Sequence, residues 1–113
     1  MGIEQIHTKG FKADAGKNRL SLVVGTMARA ILEVGKVGTF GAEKYAEDNW
    51  LLVDNAQRRY TDALLRHLLS HEAGEEADGE SGLSHLAHAA WCALAILDLH
   101  LRKQADHDAK TAA

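Results

Sequence analysis

Leu83, Ala87, Ala90, Leu94, Leu97 and Leu101 recur at alternating steps of four and three residues. That rhythm sets six apolar side chains along one stripe of an α-helix, whereas a strand would divide them between two faces. The 113-residue sequence contains no proline and no sustained alternation of polar and apolar residues, so little in it interrupts or competes with helix. The spacing predicts an all-α chain. Val24, Met27, Ile31, Val34 and Val37 predict a first helix over 21–39, weakened towards its end by Gly35, Gly38 and Gly41. A short helix or turn is expected from Ala42 to Asp48. Asp54-Asn55-Ala56-Gln57 reads as a capping box opening a helix over 56–73, with Gly74 as its stop. The last helix is expected over 83–104, and Leu64, Leu68, Leu86, Leu94 and Leu97 are the expected core.

This pattern divides the chain into a polar arm at 1–19, a helical domain at 20–104 and a flexible tail at 105–113. Three main helices of this size cannot bury every apolar face within one small domain. A small helical bundle completed by self-association, as a homodimer or homotetramer, is therefore expected. The formal net charge of −3 argues against a duplex nucleic-acid binder, which needs a basic stripe. A lone cysteine, Cys92, excludes an intrachain disulfide and suits a reducing compartment. No run approaches the roughly 18 apolar residues of a membrane span, and the N-terminal stretch lacks a signal peptide's apolar core. A cytoplasmic protein with no membrane partner is expected.

The chemistry gathers between Arg66 and Cys92, which hold four of the seven histidines: His67, His71, His85 and His88. Glu72, Glu75, Glu76, Asp78 and Glu80 lie in the connection between them. His85 and His88 share a helix face at i, i+3. The short connection predicts an antiparallel helix pair that brings His67 level with them. Three uses compete for such histidines. They can ligate a divalent metal, with imidazole favouring Mn, Fe, Co, Ni or Zn over Mg. They can contact phosphate or act as acid and base near neutral pH. They can also be packing residues bonded to backbone or carboxylate. Glu75 and Asp78 flank the expected helix end and are the acids best placed to join the histidines, whereas Glu76 and Glu80 read as solvated. Arg66 forms an i, i+4 pair with Asp62 and can grip phosphate bidentately. Lys17, Arg19 and Lys44 are further candidate phosphate contacts, and Tyr45 and Trp50 can stack on a base.

Four blocks carry a family resemblance: GKNRLSL at 16–22, FGAEKYAEDNW at 40–50, DALLRHLLS at 62–70 and GEEADGESGLSHLAHAAWCAL at 74–94. Together, and in this order, they resemble the phage dATP/dGTP diphosphohydrolase N-terminal domain family. That family is grouped with the all-α, MazG-like nucleotide pyrophosphohydrolases, which use a divalent metal to cut a nucleoside triphosphate to monophosphate and pyrophosphate. The resemblance implies a MazG-like bundle acting on a purine (deoxy)nucleotide in a phage-infected cell. It implies substrate contacts from Lys17, Arg19, Lys44, Tyr45, Asn49, Trp50 and Arg66. It implies catalytic roles for Glu75, Asp78, His85 and His88, and metal ligation by His67, Glu75, Asp78, His85 and His88. The MazG signature, ExxE followed by ExxD, supplies oxygen ligands suited to Mg. Here Glu72 and Glu75 keep the first spacing across Gly74, and His85 and His88 stand where acids are expected. The implied cofactor is Mg or Mn, with another transition metal open because of the histidines. Two other classes stay open: a non-catalytic protein that sequesters a nucleotide, and a helical interaction module.

Overall fold

The structure, a computed structural model, describes residues 9–112. Residues 1–8 of the expected arm and residue 113 of the expected tail lie outside the described residues. Among the described residues four α-helices follow in order: α1 (Ser21–Val24), α2 (Ala28–Lys44), α3 (Ala56–Glu72) and α4 (His85–Ala112), with a 3₁₀ turn at Asn49–Leu52. The described residues contain no strand, only an isolated antiparallel bridge between Ala77 and Ser84.

The helix expected over 21–39 is broken in two. Gly25, Thr26 and Met27 separate α1 from α2, and the Thr26 hydroxyl turns back to donate to the Leu22 carbonyl. Such back-bonding offers the backbone an alternative to helix continuation. Beyond the break, α2 runs through Gly35, Gly38 and Gly41 to Lys44, absorbing the start of the turn expected at 42–48. These glycines recur every three residues, and Gly38 faces the Trp91 side chain of α4. A Cβ at Gly35 or Gly41 would meet nothing within 4 Å.

At the head of α3 the expected capping box is absent. Asn55 is the N-cap, in left-handed backbone at φ 51°, with no side-chain cap bond. An N-cap side chain usually reaches the first-turn N–H groups from extended backbone, and Gln57 instead accepts from Lys103 Nζ at 3.5 Å. The end of α3 matches expectation. Gly74, at φ 102°, donates to the His71 carbonyl, and Glu75 N–H donates to the Ser70 carbonyl. These two bonds form a Schellman stop. Ser84 opens α4 by accepting from the Leu86 and Ala87 N–H groups. That helix continues to Ala112, past the expected end near 104, with Gln104 donating to Asp108 and Thr111 to the His107 carbonyl.

α3 and α4 pack as an antiparallel hairpin, and α2 lies against α4. The inward stripe of α4 is His85, Ala89, Cys92 and Ala95, joined by Ala87 and by Val37 of α2. The expected leucine core is overturned. Leu86, Leu94 and Leu97 are 45%, 52% and 53% exposed, Leu68 is also exposed, and only Leu64 is half-buried. Small side chains fill the helix contact, so Leu94, Leu97 and Leu101 of the 4-3 stripe face outward in the single chain, while Ala87 of the same stripe is buried. No described helix is long and apolar enough to cross a membrane.

Candidate functional site

The connection between α3 and α4 is a short loop tied by its own backbone. Asp78 N–H donates to the Leu83 carbonyl, His85 N–H to Glu76 and Gly82 N–H to Asp78, each at 2.8 Å. Gly82 sits at φ 72°, a left-handed turn that glycine adopts without steric cost. The Asp78 carboxylate accepts from Ser81 N–H at 2.8 Å and Glu80 N–H at 3.1 Å. Its position is therefore fixed by the loop before any ligand arrives.

Three histidines meet this loop. His67 Nδ1 lies 2.8 Å from His85 Nδ1, and the His67 ring stacks on His88 with centroids 4.4 Å apart and planes 10° apart. His85 Nε2 is 2.6 Å from Glu75 Oε1, and His88 Nε2 is 2.7 Å from Ser81 Oγ. Ser81 Oγ also accepts from Leu83 N–H at 3.1 Å. A carboxylate can only accept, so Glu75 holds the hydrogen of His85 on Nε2. His85 then presents a lone pair at Nδ1 towards His67.

Burial pushes His67 below the ordinary histidine range, with the neighbouring His88 adding to the effect. Burial lowers His88 as well, against the opposing charge of Asp78. Burial alone would raise Asp78, but the Ser81 N–H and hydroxyl, together with His88 and His67, bring it below the usual carboxylate range. These shifts favour neutral imidazole at His67 and His88 and an ionised carboxylate at Asp78, forms that can ligate a metal.

Donor atoms of His67, Asp78 and His85 all lie within 4.8 Å of one another. The donor set therefore fits a divalent ion, and its imidazole share suits Mn or a later transition metal better than Mg.

A cavity of about 520 Å³ opens beside the cluster. Its lining takes in His67, His88 and Asp78, the charged Arg66, Lys44 and Glu80, and the aromatic Phe40, Tyr45, Trp50, Tyr60 and Trp91. Antiparallel pairing brings α3 and α4 side chains together at two levels. Tyr60 meets Trp91 and, seven residues further along α3, His67 meets His85 and His88. Lys44, in the cavity lining, forms an ion pair with Glu80 and lies over the Tyr45 ring at 5.0 Å.

Residues 7–109 match the family described as dATP/dGTP diphosphohydrolase, N-terminal. The chain belongs to this family. The matched span of this dATP/dGTP diphosphohydrolase-family chain takes in the histidine cluster and the whole cavity lining. A relative from Salmonella phage PMBT28, named dATP/dGTP diphosphohydrolase, is 41% identical over 83 residues, which cover 72% of this chain and 26% of the relative. The chain thus spans about a quarter of that relative's length. No solved structure matches it.

Among the residues that the sequence singled out in this family member, Lys44, Tyr45, Asn49, Trp50, Arg66, His67, Asp78 and His88 line the cavity. His85 and Glu75 stand behind the wall, His85 buried and Glu75 exposed. Lys17 and Arg19 lie before α1, exposed, and do not line the cavity. Sequence reasoning missed Tyr60, Trp91 and Ser81. The signal for the two aromatics was present: Tyr60 shares the α3 stripe with His67, and Trp91 follows His88 by three residues. Ser81 gave no comparable signal, since its approach to His88 depends on how the loop closes.

Proposed function

We propose that this chain is a metal-dependent nucleoside triphosphate pyrophosphohydrolase domain that acts on a purine (deoxy)nucleotide and releases pyrophosphate. The observation that carries this reading is the single cavity that joins a histidine–carboxylate cluster and two cations to an aromatic wall. Triphosphate would lie at the polar part, where Arg66 offers bidentate contacts and Lys44 a point charge. The base would lie at the aromatic part. The name of the phage relative supports the substrate class.

His67, His85 and Asp78 would hold the divalent ion, with Glu75 orienting His85 from behind. When bound, such an ion supplies Lewis-acid polarisation of phosphate and a more acidic water. His88, held by Ser81 and kept neutral by burial, stands against the cavity as the base that accepts a proton from the attacking water. Lys44 exchanges Glu80 for phosphate oxygen. Self-association as a homodimer or homotetramer belongs to the same proposal, because the leucines that the fold leaves outward need cover.

The test is release of pyrophosphate from dATP and dGTP with Mg or Mn, repeated with His85→Ala and His88→Ala. Loss of release in both variants at unchanged helicity is the expected result. Full activity in both, or none in the unmodified protein with any divalent ion, would overturn the enzyme reading. Metal-independent nucleotide binding would then favour a sequestering protein.

A further inference from the structure

Three contacts hold the His88 ring. His67 stacks on its face, Phe40 of α2 meets it at right angles with centroids 6.4 Å apart, and Ser81 Oγ lies 2.7 Å from its Nε2. The two ring contacts fix the plane of the imidazole, and Ser81 fixes its rotation within that plane. The other nitrogen, Nδ1, has no hydrogen-bond partner among the described residues. His88 is half-buried, and no buried side-chain nitrogen or oxygen of such described residues lacks a partner, so Nδ1 is open to solvent.

The groups around Ser81 Oγ determine where the His88 hydrogen sits. A hydroxyl has one hydrogen and two lone pairs. Leu83 N–H takes one lone pair at 3.1 Å. One lone pair and the hydrogen remain for His88 and for Asp78, whose Oδ2 also accepts from the Ser81 N–H at 2.8 Å. Against the upward push of burial, the Ser81 N–H and hydroxyl hold the Asp78 carboxyl below the usual range. An ionised carboxylate can only accept. The Ser81 hydrogen therefore goes to Asp78, and His88 gives its Nε2 hydrogen to the lone pair that is left.

We propose that Ser81 is a positioning residue: its hydroxyl holds His88 as the Nε2–H tautomer and leaves Nδ1 as the nitrogen that receives the proton of the attacking water. This inference rests on the hydrolase reading above, to which it adds the working atom and the residue that selects it. Nδ1 forms a bond to hydrogen as an O–H bond of the water breaks. The electron pair left on that oxygen forms the new bond to phosphorus, and pyrophosphate leaves with the pair of the broken P–O bond. In the other tautomer Nδ1 carries a hydrogen, and the open nitrogen of His88 has no lone pair to offer.

The test joins imidazole ¹⁵N spectra of the full chain, free of metal and nucleotide, to kinetics of pyrophosphate release from dGTP with Mn. The spectrum of the unmodified protein should show His88 as the Nε2–H tautomer, and Ser81→Ala should turn it into a mixture. Ser81→Ala should also lower kcat about tenfold or more, with KM and Mn affinity unchanged. Ser81→Thr, which keeps the hydroxyl, should restore both the tautomer and most of the rate. An Nδ1–H assignment for His88 in the unmodified protein would overturn the proposal, and that spectrum stands even if a variant fails to fold. Unchanged kcat in a folded Ser81→Ala would overturn it as well, leaving the hydrolase reading intact. Absence of pyrophosphate release by the unmodified protein with any divalent ion would overturn the hydrolase reading and the role given to Nδ1 together.

Discussion

His67 and His85 meet Nδ1 to Nδ1 at 2.8 Å across the α3–α4 contact, and a hydrogen bond between them needs one proton and one lone pair. Because Glu75 takes the Nε2 hydrogen of His85, the proton between the rings belongs to His67. In metal-free protein at neutral pH, imidazole ¹⁵N spectra should therefore show His85 as the Nε2–H tautomer and His67 as the Nδ1–H tautomer. The reverse assignment would refute the ordering role given to Glu75. Glu75→Ala should release His85 into a mixture of tautomers.

Metal titration without nucleotide tests the ligand set directly. His67→Ala, His85→Ala and Asp78→Asn should each weaken Mn binding at least tenfold, and Glu75→Ala should weaken it about tenfold by loosening His85. Circular dichroism should report unchanged helix in each variant. Unchanged Mn affinity in all four would place any ion elsewhere.

Cys92 gives a prediction in alkaline solution. Burial raises its thiol from an ordinary value of 9.0 to about 11, so the folded chain keeps a proton that the unfolded chain loses. The stabilisation is fully present below pH 9 and is lost as pH rises towards 11. Thermal unfolding should show a loss on the order of 2 kcal/mol over that interval, and Cys92→Ala should flatten it. An equal slope in the variant would assign the loss to other groups.

Gly74 ends α3 at φ 102°, a conformation closed to side chains. Gly74→Ala should cost about 1–2 kcal/mol in urea unfolding. A neutral outcome would mean that the Schellman stop contributes little to the hairpin.

Leu94 and Leu97, more than half exposed on α4, should support self-association. Sedimentation at micromolar concentration is expected to give a dimer or tetramer, with Leu94→Gln/Leu97→Gln shifting it to monomer. A monomer before substitution would refute the proposed assembly.

The helical class and the antiparallel pairing were legible because the 3-4 rhythm, the absence of proline and Gly74 all act locally. Convergence of His67, His85 and His88 followed from the short loop between two helices, which fixes their register. The core was misread for a reason visible at Ala89 and Cys92. Apolar periodicity marks every face that avoids water, including faces left for a partner, and leucine outweighs alanine in such a reading. The helix contact uses the small residues instead, with His85 buried among them. The break at Gly25–Met27 and the left-handed Asn55 were missed because both depend on how neighbouring segments close.

The narrow contact between α3 and α4 works as a caliper. With alanine at 87, 89 and 95 and cysteine at 92, the buried side of α4 is built largely from side chains of one or two heavy atoms. The separation of α3 and α4 sets the gap across which His67 faces His85. Ala89→Val would therefore act on the fold and on the chemistry together, spreading the hairpin and drawing the imidazoles apart. For this chain, tolerance of core volume and precision of the histidine cluster are one property.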